Sequence, residues 1–197
     1  MKTAIILLAA GPSSRMGQSK QLLPIGNVSM IRHAISIVDQ SGLRPVVVVL
    51  GANDDKLRNE IGKTEVELVS NPSWKNGMGS SLKAGISFIN QKFPDTDAII
   101  ICVCDQPLLT ATHLKRLLTK HIESSKPIVA SQYGESGGVP ALFHKSLFKD
   151  LVALYDGQGA KKIILQRPLE TAWVEFPEGV LDLDTPEDYE AYISHRK

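Results

Sequence analysis

A run of apolar residues from Thr3 to Ala10 ends at Gly11-Pro12 and gives way to a polar stretch, Ser13-Ser14-Arg15-Met16-Gly17-Gln18-Ser19-Lys20. No other junction in the chain narrows the choice of fold as much. The apolar run reads as a buried strand covered on both faces. The stretch after it reads as a glycine-hinged loop whose backbone N–H groups can face an anion. Arg15 and Lys20 add charge, the first as a guanidinium fork and the second as a compact ammonium. Such a loop suits a triphosphate. It is not the ATPase-type loop, because Gly17 is followed by Gln18 and Lys20 arrives late. Nor is it G-x-G-x-x-G, since Pro12 and Ser13 follow Gly11. On spacing alone, an ordinary surface turn with two solvated cations is the competing reading.

Downstream, strands and helices alternate. Ile31, Ala34, Ile35 and Val38 recur at helical spacing, with Gly42 as the C-cap. Pro45 to Leu50 is a second covered strand, Asn53 caps a short helix carrying Leu57 and Ile61, and Glu65 to Val69 alternates as a strand. A glycine-rich loop, residues 71–79, feeds a helix that opens on Ser80-Ser81, offering N–H groups and hydroxyls at its start. Ala98 to Cys104 is a third covered strand and ends in Asp105. Thr110 caps the helix of Leu114, Leu117 and Leu118, and Pro127 to Ser131 is a strand. Residues 134–140 read as a hairpin or mobile loop, 145–154 as a helix and Thr171 to Phe176 as a strand. The last helix opens at Pro186 with acids in its first turn. This pattern predicts an α/β fold, a mostly parallel mixed sheet with helices on both faces, in one domain spanning 1–197. In such sheets ligands bind beyond the carboxyl ends of the strands.

Composition removes several classes of function. A net charge of +1 indicates no general affinity for nucleic acid or an anionic membrane surface. No apolar run approaches the ~20 residues of a membrane helix. The start, MKTAIILLAAG, imitates a signal peptide, but it makes better sense as part of a strand–loop unit, so the expected location is cytoplasmic. Cys102 and Cys104 fall on one face of a strand, where they pack as small apolar groups. The five histidines show no metal-ligand spacing.

Asp105 and Asp184 are the carboxylates to weigh together. One sits at a strand end and the other just before a capped helix. Mg²⁺ is commonly held by one or two carboxylates plus substrate phosphates. Each residue also has a plain reading, as a turn cap and a helix N-terminal acid respectively. With a phosphate loop on the same sheet edge, the pair favours Mg²⁺-nucleotide chemistry.

The stretch LAAGPSSRMGQSK resembles the L-A-A-G-x-S-x-R-M-G-x-x-K signature of the small nucleotidyltransferases. NPSWKNGMGSSLKAG, CDQPLL, VPALF and DLDTPEDY, in that order, resemble the molybdenum-cofactor cytidylyltransferases and their close relatives. The likeness runs from residue 3 to about 192. It implies a Rossmann-like nucleotidyltransferase fold and attack of a phosphorylated acceptor on the nucleotide α-phosphate, with release of pyrophosphate. By the same resemblance, Arg15 and Lys20 bind the triphosphate, Asp105 and Asp184 bind Mg²⁺, and Leu8, Ala9, Ala10, Gly11, Ser80 and Ser81 contact the nucleoside. Arg15, Lys20 and Asp105 form the catalytic set. Guanylyl-transferring relatives often carry glycine where this chain has Ala10, which points to CTP. The implied acceptor is a phosphorylated pterin of the molybdopterin type, and the implied protein partner is a molybdenum hydroxylase or its chaperone. One departure concerns the pterin: where family members often have a polar residue in the G-x-P segment, this chain has Val139. A sugar phosphate or methylerythritol phosphate acceptor, and a non-catalytic nucleotide-binding chaperone, are the other readings.

Overall fold

The computed structural model describes residues 1–134 and 137–194. In chain order the strands and α-helices are β1 (Thr3–Leu8), β2 (Pro24–Ile25), β3 (Val28–Ser29), α1 (Met30–Gln40), β4 (Val46–Leu50), α2 (Asp54–Ile61) and β5 (Glu67–Ser70). These are followed by α3 (Met78–Lys92), β6 (Ala98–Val103), α4 (Ala111–Ser124), β7 (Ile128–Gln132) and β8 (Gly138–His144). The chain then forms α5 (Phe148–Val152), α6 (Lys161–Gln166), β9 (Thr171–Glu175) and α7 (Pro186–Ser194).

Seven strands form one sheet in the order β5-β4-β1-β6-β8-β7-β9. All pair in parallel except β8, which runs antiparallel to both β6 and β7. The sheet is therefore mostly parallel and mixed, as the element pattern predicts. Its chain path reverses beside β1: β4 and β5 are added on one side, and the crossover through α3 then places β6 on the other. A crevice opens at such a switch point, at the carboxyl ends of the flanking strands.

Alternation along the strands divides the core in two. Ile5, Leu7, Val46, Val48, Ile100 and Cys102 pack against α1, α2 and α4 through Ile31, Val38, Leu57, Leu114 and Leu117. Ala4, Ile6, Val47, Val49, Ile99 and Ile101 face the other way, onto Leu82, Ile86 and Ile89 of α3 and Leu151 of α5. Each fully buried Leu or Ile contributes about 1.5–3 kcal/mol relative to exposure. Both cysteines are buried and free, and burial pushes the Cys104 thiol up to about 12.

Four local expectations are corrected. Asn53 adopts a left-handed conformation (φ 62°) and its side chain makes no cap bond, so α2 opens without the Asx cap its sequence advertises. Residues 138–140, read as part of a hairpin or mobile loop, already belong to the interior strand β8, whose Ala141, Leu142 and Phe143 are wholly buried between two neighbours, and the antiparallel pairing of β7 with β8 bears out the hairpin. Within that segment residues 135–136 lie outside the described residues, as does residue 195. The segment 145–154 splits into a 3-10 turn (Lys145–Leu147) and α5, as His144 accepts from the Ser146 N–H at its start. Finally, α3 begins at Met78, two residues ahead of the serines. Among the described residues no helix is long and apolar enough to cross a membrane.

Candidate active site

The loop after β1 is held in two short turns. Ser13 (φ 56°) and Gly17 (φ 67°) both take left-handed backbone conformations around a 3-10 turn at Ser14–Met16. A second 3-10 turn, Lys20–Leu22, brings the lysine back beneath the loop. Its ammonium Nζ lies 2.5 Å from Asp105 Oδ2 and 2.6 Å from Asp184 Oδ1. Burial alone would lower the pKa of this amine. The Asp105 charge and the bonds to Asp105 and Asp184 outweigh it, and the net shift is upward, so Lys20 is held as a cation. Asp184 is also desolvated, yet Lys20 and Arg15 bring its carboxyl below the usual value. Arg15 Nη2 lies 2.8 Å from Asp184 Oδ2, an exposed pair of little energetic weight.

Asp184 reaches this point because the segment before α7 is pinned. The Leu183 N–H donates to the Asp105 carbonyl at 3.0 Å. The Leu183 side chain is buried with Ile25, Met30 and Tyr192 in a small cluster beneath the β2–β3 hairpin. Asp188 then accepts from the Thr185 N–H and hydroxyl, at 2.9 and 2.8 Å, and closes the first turn of α7. A residue 79 positions away in sequence from Asp105 is thereby fixed on the same ammonium. In the same segment, burial and the Asp105 charge push the Asp182 carboxyl up to about 6.

Beside this ion cluster is a cavity of about 250 Å³, walled by Leu8, Ala9, Ala10, Gly11, Lys20, Ser81 and Asp105 among others. Seven of the residues singled out from sequence thus share one wall. Gln21 also lines it, as do Trp74, Gly77 and Met78. Sequence reasoning gave these three no role, although an aromatic residue in a glycine-rich loop was the available signal. Ser80 departs from expectation. Its hydroxyl donates toward the Ser73 and Gly77 carbonyls and accepts from Asn71 Nδ2, so it braces the loop from behind. Nor are the first N–H groups of α3 all free: Gly79 N–H donates to the Asp156 carbonyl at 2.7 Å and Ser80 N–H to Gly77. This close approach explains the Gly-Met-Gly sequence. A Cβ on Gly77 would lie 2.6 Å from the Asp156 carbonyl oxygen, and one on Gly79 would lie 2.5 Å from that of Tyr155.

The residues present fit a divalent cation. Asp105 Oδ1 is buried without a hydrogen-bond partner among the described residues, and two carboxylates converge on a single positive charge. No group of three or more His, Cys, Asp or Glu suited to a metal occurs among the described residues. Any ion here would therefore draw its remaining ligands from water and a bound phosphate, the usual pattern for Mg²⁺.

Fold and cleft together define a doubly wound α/β protein with its ligand cavity at the switch point of the sheet. The chain belongs to the MobA-like NTP transferase domain family, which it matches over residues 5–171. It is 35% identical over 117 residues to nicotine blue oxidoreductase of Paenarthrobacter nicotinovorans, covering 59% of this chain but only 55% of that protein. The chain therefore spans about half the length of that relative. It is 28% identical to a probable molybdenum cofactor guanylyltransferase of Carboxydothermus hydrogenoformans (96% of this chain, 94% of that one). It is 23% identical to the molybdenum cofactor cytidylyltransferase of Escherichia coli (93% and 92%). Among solved structures, Rv0371c of Mycobacterium tuberculosis superposes with a TM-score of 0.83 over 98% of both chains at 22% identity. That protein has also been solved as a manganese complex.

Proposed function

We propose that this protein transfers a nucleotidyl group from a nucleoside triphosphate to a phosphorylated small molecule. In its specific form the donor is CTP, the acceptor a molybdopterin-type pterin phosphate, and the second product pyrophosphate. One observation carries the reading: Lys20, Arg15, Asp105 and Asp184 converge at the mouth of a cavity walled by the β1 loop. Relatives named as molybdenum cofactor guanylyl- and cytidylyltransferases support the acceptor class.

An anionic acceptor must approach an anionic triphosphate, so positioning and charge neutralisation supply most of the catalysis. Lys20, already cationic, offers its charge to the phosphates, and Arg15 at the rim suits the leaving pyrophosphate. Asp105 and Asp184 would hold Mg²⁺, which when bound neutralises charge on the α-phosphate. No general base is required, because a phosphate nucleophile is already ionised. Ala10 on the cavity wall supports a pyrimidine, since its methyl takes space a purine would need.

The test is pyrophosphate release across four nucleoside triphosphates and three acceptors: a molybdopterin-type cofactor, a sugar 1-phosphate and methylerythritol phosphate. Release with CTP and the pterin is expected. Release only with another acceptor would retain the chemistry and replace the substrate. No release with any pair would overturn the reading.

A further inference from the structure

Gln21 follows Lys20 directly and is only 1% exposed, a rare placement for glutamine. Its carboxamide is fully used. Nε2 donates to the Gly11 carbonyl at 2.8 Å and the Ala9 carbonyl at 3.3 Å. Oε1 accepts from the hydroxyls of Ser19 at 2.8 Å and Ser13 at 3.1 Å. Carbonyls only accept, so the amide nitrogen must face β1 and the oxygen must face the serines. Ser13 Oγ in turn accepts from the Lys20 N–H at 3.0 Å.

Backbone bonds do not supply this connection. Those within the loop are local turn closures, Met16 to Ser13, Leu22 to Ser19 and Leu23 to Lys20. Gln21 is the side chain that ties the carbonyl end of the loop to its cation end. The tie also orients the backbone. Across a trans peptide the C=O and the following N–H point in opposite directions. With the Ala9 carbonyl drawn to Gln21, the Ala10 N–H points away from it. With the Ala10 carbonyl accepting from the Ala52 N–H at 3.0 Å, the Gly11 N–H points away from residue 52.

From this geometry we infer that Gln21 is the positioning residue of the nucleotide loop: it holds Ala9 to Gly11 and Ser13 to Lys20 in the shape that receives a triphosphate, without contributing charge. This role rests on the reading of the cleft as a nucleoside triphosphate site. It predicts an effect confined to the nucleotide side.

The experiment compares the parent with Gln21→Met, which keeps the volume and loses all four bonds, and with the double variant Ser13→Ala/Ser19→Ala, which keeps Gln21 and loses two of the four together with the bond from the Lys20 N–H to Ser13. Hydrogen exchange is followed peptide by peptide without nucleotide, and Mg-CTP affinity is measured by calorimetry. In Gln21→Met, exchange over residues 10–22 should accelerate at least tenfold while β4 and β6 stay protected. The Kd for Mg-CTP should rise at least tenfold and the acceptor KM less than twofold, with the double variant in between. Unchanged loop exchange, or acceleration spread evenly over the sheet, would overturn the role, as would equal losses of nucleotide and acceptor affinity. If the parent itself bound no triphosphate, the functional reading would fail, and the exchange data would still decide whether Gln21 orders the loop. Should Gln21→Met not fold, the double variant tests the same tie.

Discussion

The two regions that flank Asp105 are built differently. On the side of the β1 loop, polar groups close on one another. The Gln21 carboxamide has four partners, Asn71 donates to both Ser80 and Ser81, and Lys20 bridges two carboxylates. On the side of β7 and β8 short bonds stand beside incomplete ones. Gln106 Nε2 reaches the Val139 and Gly179 carbonyls at 3.3 Å each, and its Oε1 is buried with no partner among the described residues. Tyr133 donates to Val139 at 2.8 Å. A satisfied network is rigid, and each bond it loses leaves its partner exposed to a desolvation cost. We propose that the loop half is preformed for the nucleotide and that the other leaves polar atoms for the acceptor to satisfy.

The sharpest way to break this contrast is at the carboxylates that join the halves. Asp105→Asn and Asp184→Asn keep shape and lose charge, so turnover at limiting Mg²⁺ should fall on the order of a hundredfold with the melting temperature little changed. A variant that kept full turnover would remove that residue from the metal site. Next in size is Lys20→Ala. Loss of a charged contact should weaken Mg-CTP binding by about 1.5–3 kcal/mol, seen by calorimetry. Without nucleotide the same change should act in the opposite direction. The ammonium now occupies the space between two carboxylates, so its removal should tighten Mn²⁺ binding in a direct titration. Mn²⁺ affinity that fell with CTP affinity would show that Lys20 and the metal do not compete.

The side of β7 and β8 has its own lever in His113. Its Nε2–H donates to Ser131 Oγ at 2.7 Å, and Ser131 passes the bond to the Pro140 carbonyl at 2.6 Å. This chain holds β8 against β7 next to Val139. Burial, then the Arg116 charge, lowers this imidazole from 6.5 to about 4. Above pH 6.5 neither folded nor unfolded chain takes the proton. Below it the unfolded chain does and the folded chain refuses, so stability falls as pH drops, by about 1.4 kcal/mol per unit until pH 4. Denaturant titrations at pH 7.5 and 5.5 should differ by roughly 1.4 kcal/mol from this group. In His113→Gln that increment should vanish, and an unchanged slope would exclude His113 as its source.

The side of the β1 loop was also the more legible half in the sequence. Covered strands announce themselves through β-branched runs, so β1, β4 and β6 could be read directly, and the loop and Asp105 followed from where those runs stop. β8 could not, because its glycine-rich entry, residues 134–138, looks like a turn and its partners are set by tertiary pairing. Asn53 and Ser80 misled for a related reason. Both residue types favour helix starts, but the Asn53 side chain makes no cap bond and the Ser80 hydroxyl turns to the Ser73 and Gly77 carbonyls. Gln21 was invisible because nothing local marks a surface-type residue that will be buried under a loop.

The smallest expected effect tests base choice, the finest claim about the preformed half. Ala10 is 6% exposed and sits on the cavity wall beside Gly51, where even an added Cβ would meet the Ala10 methyl at 2.9 Å and Trp74 Cβ at 2.6 Å. Ala10 packs closely against Gly51 and Trp74, and a methyl cannot move aside as a long side chain would. Ala10→Gly should therefore open room for a purine while leaving the Ala10 carbonyl bonded to the Ala52 N–H. A single methyl-sized group discriminates by about 1 kcal/mol at the low end, so the CTP/GTP ratio of kcat/KM should fall about fivefold rather than invert. Glycine also loosens the backbone, which would lower kcat/KM for both nucleotides together and leave their ratio alone. The ratio, measured with one acceptor in parent and variant, isolates the steric contribution. An unchanged ratio would mean that base choice is made elsewhere on the wall, with Trp74 and Met78 the next side chains to test.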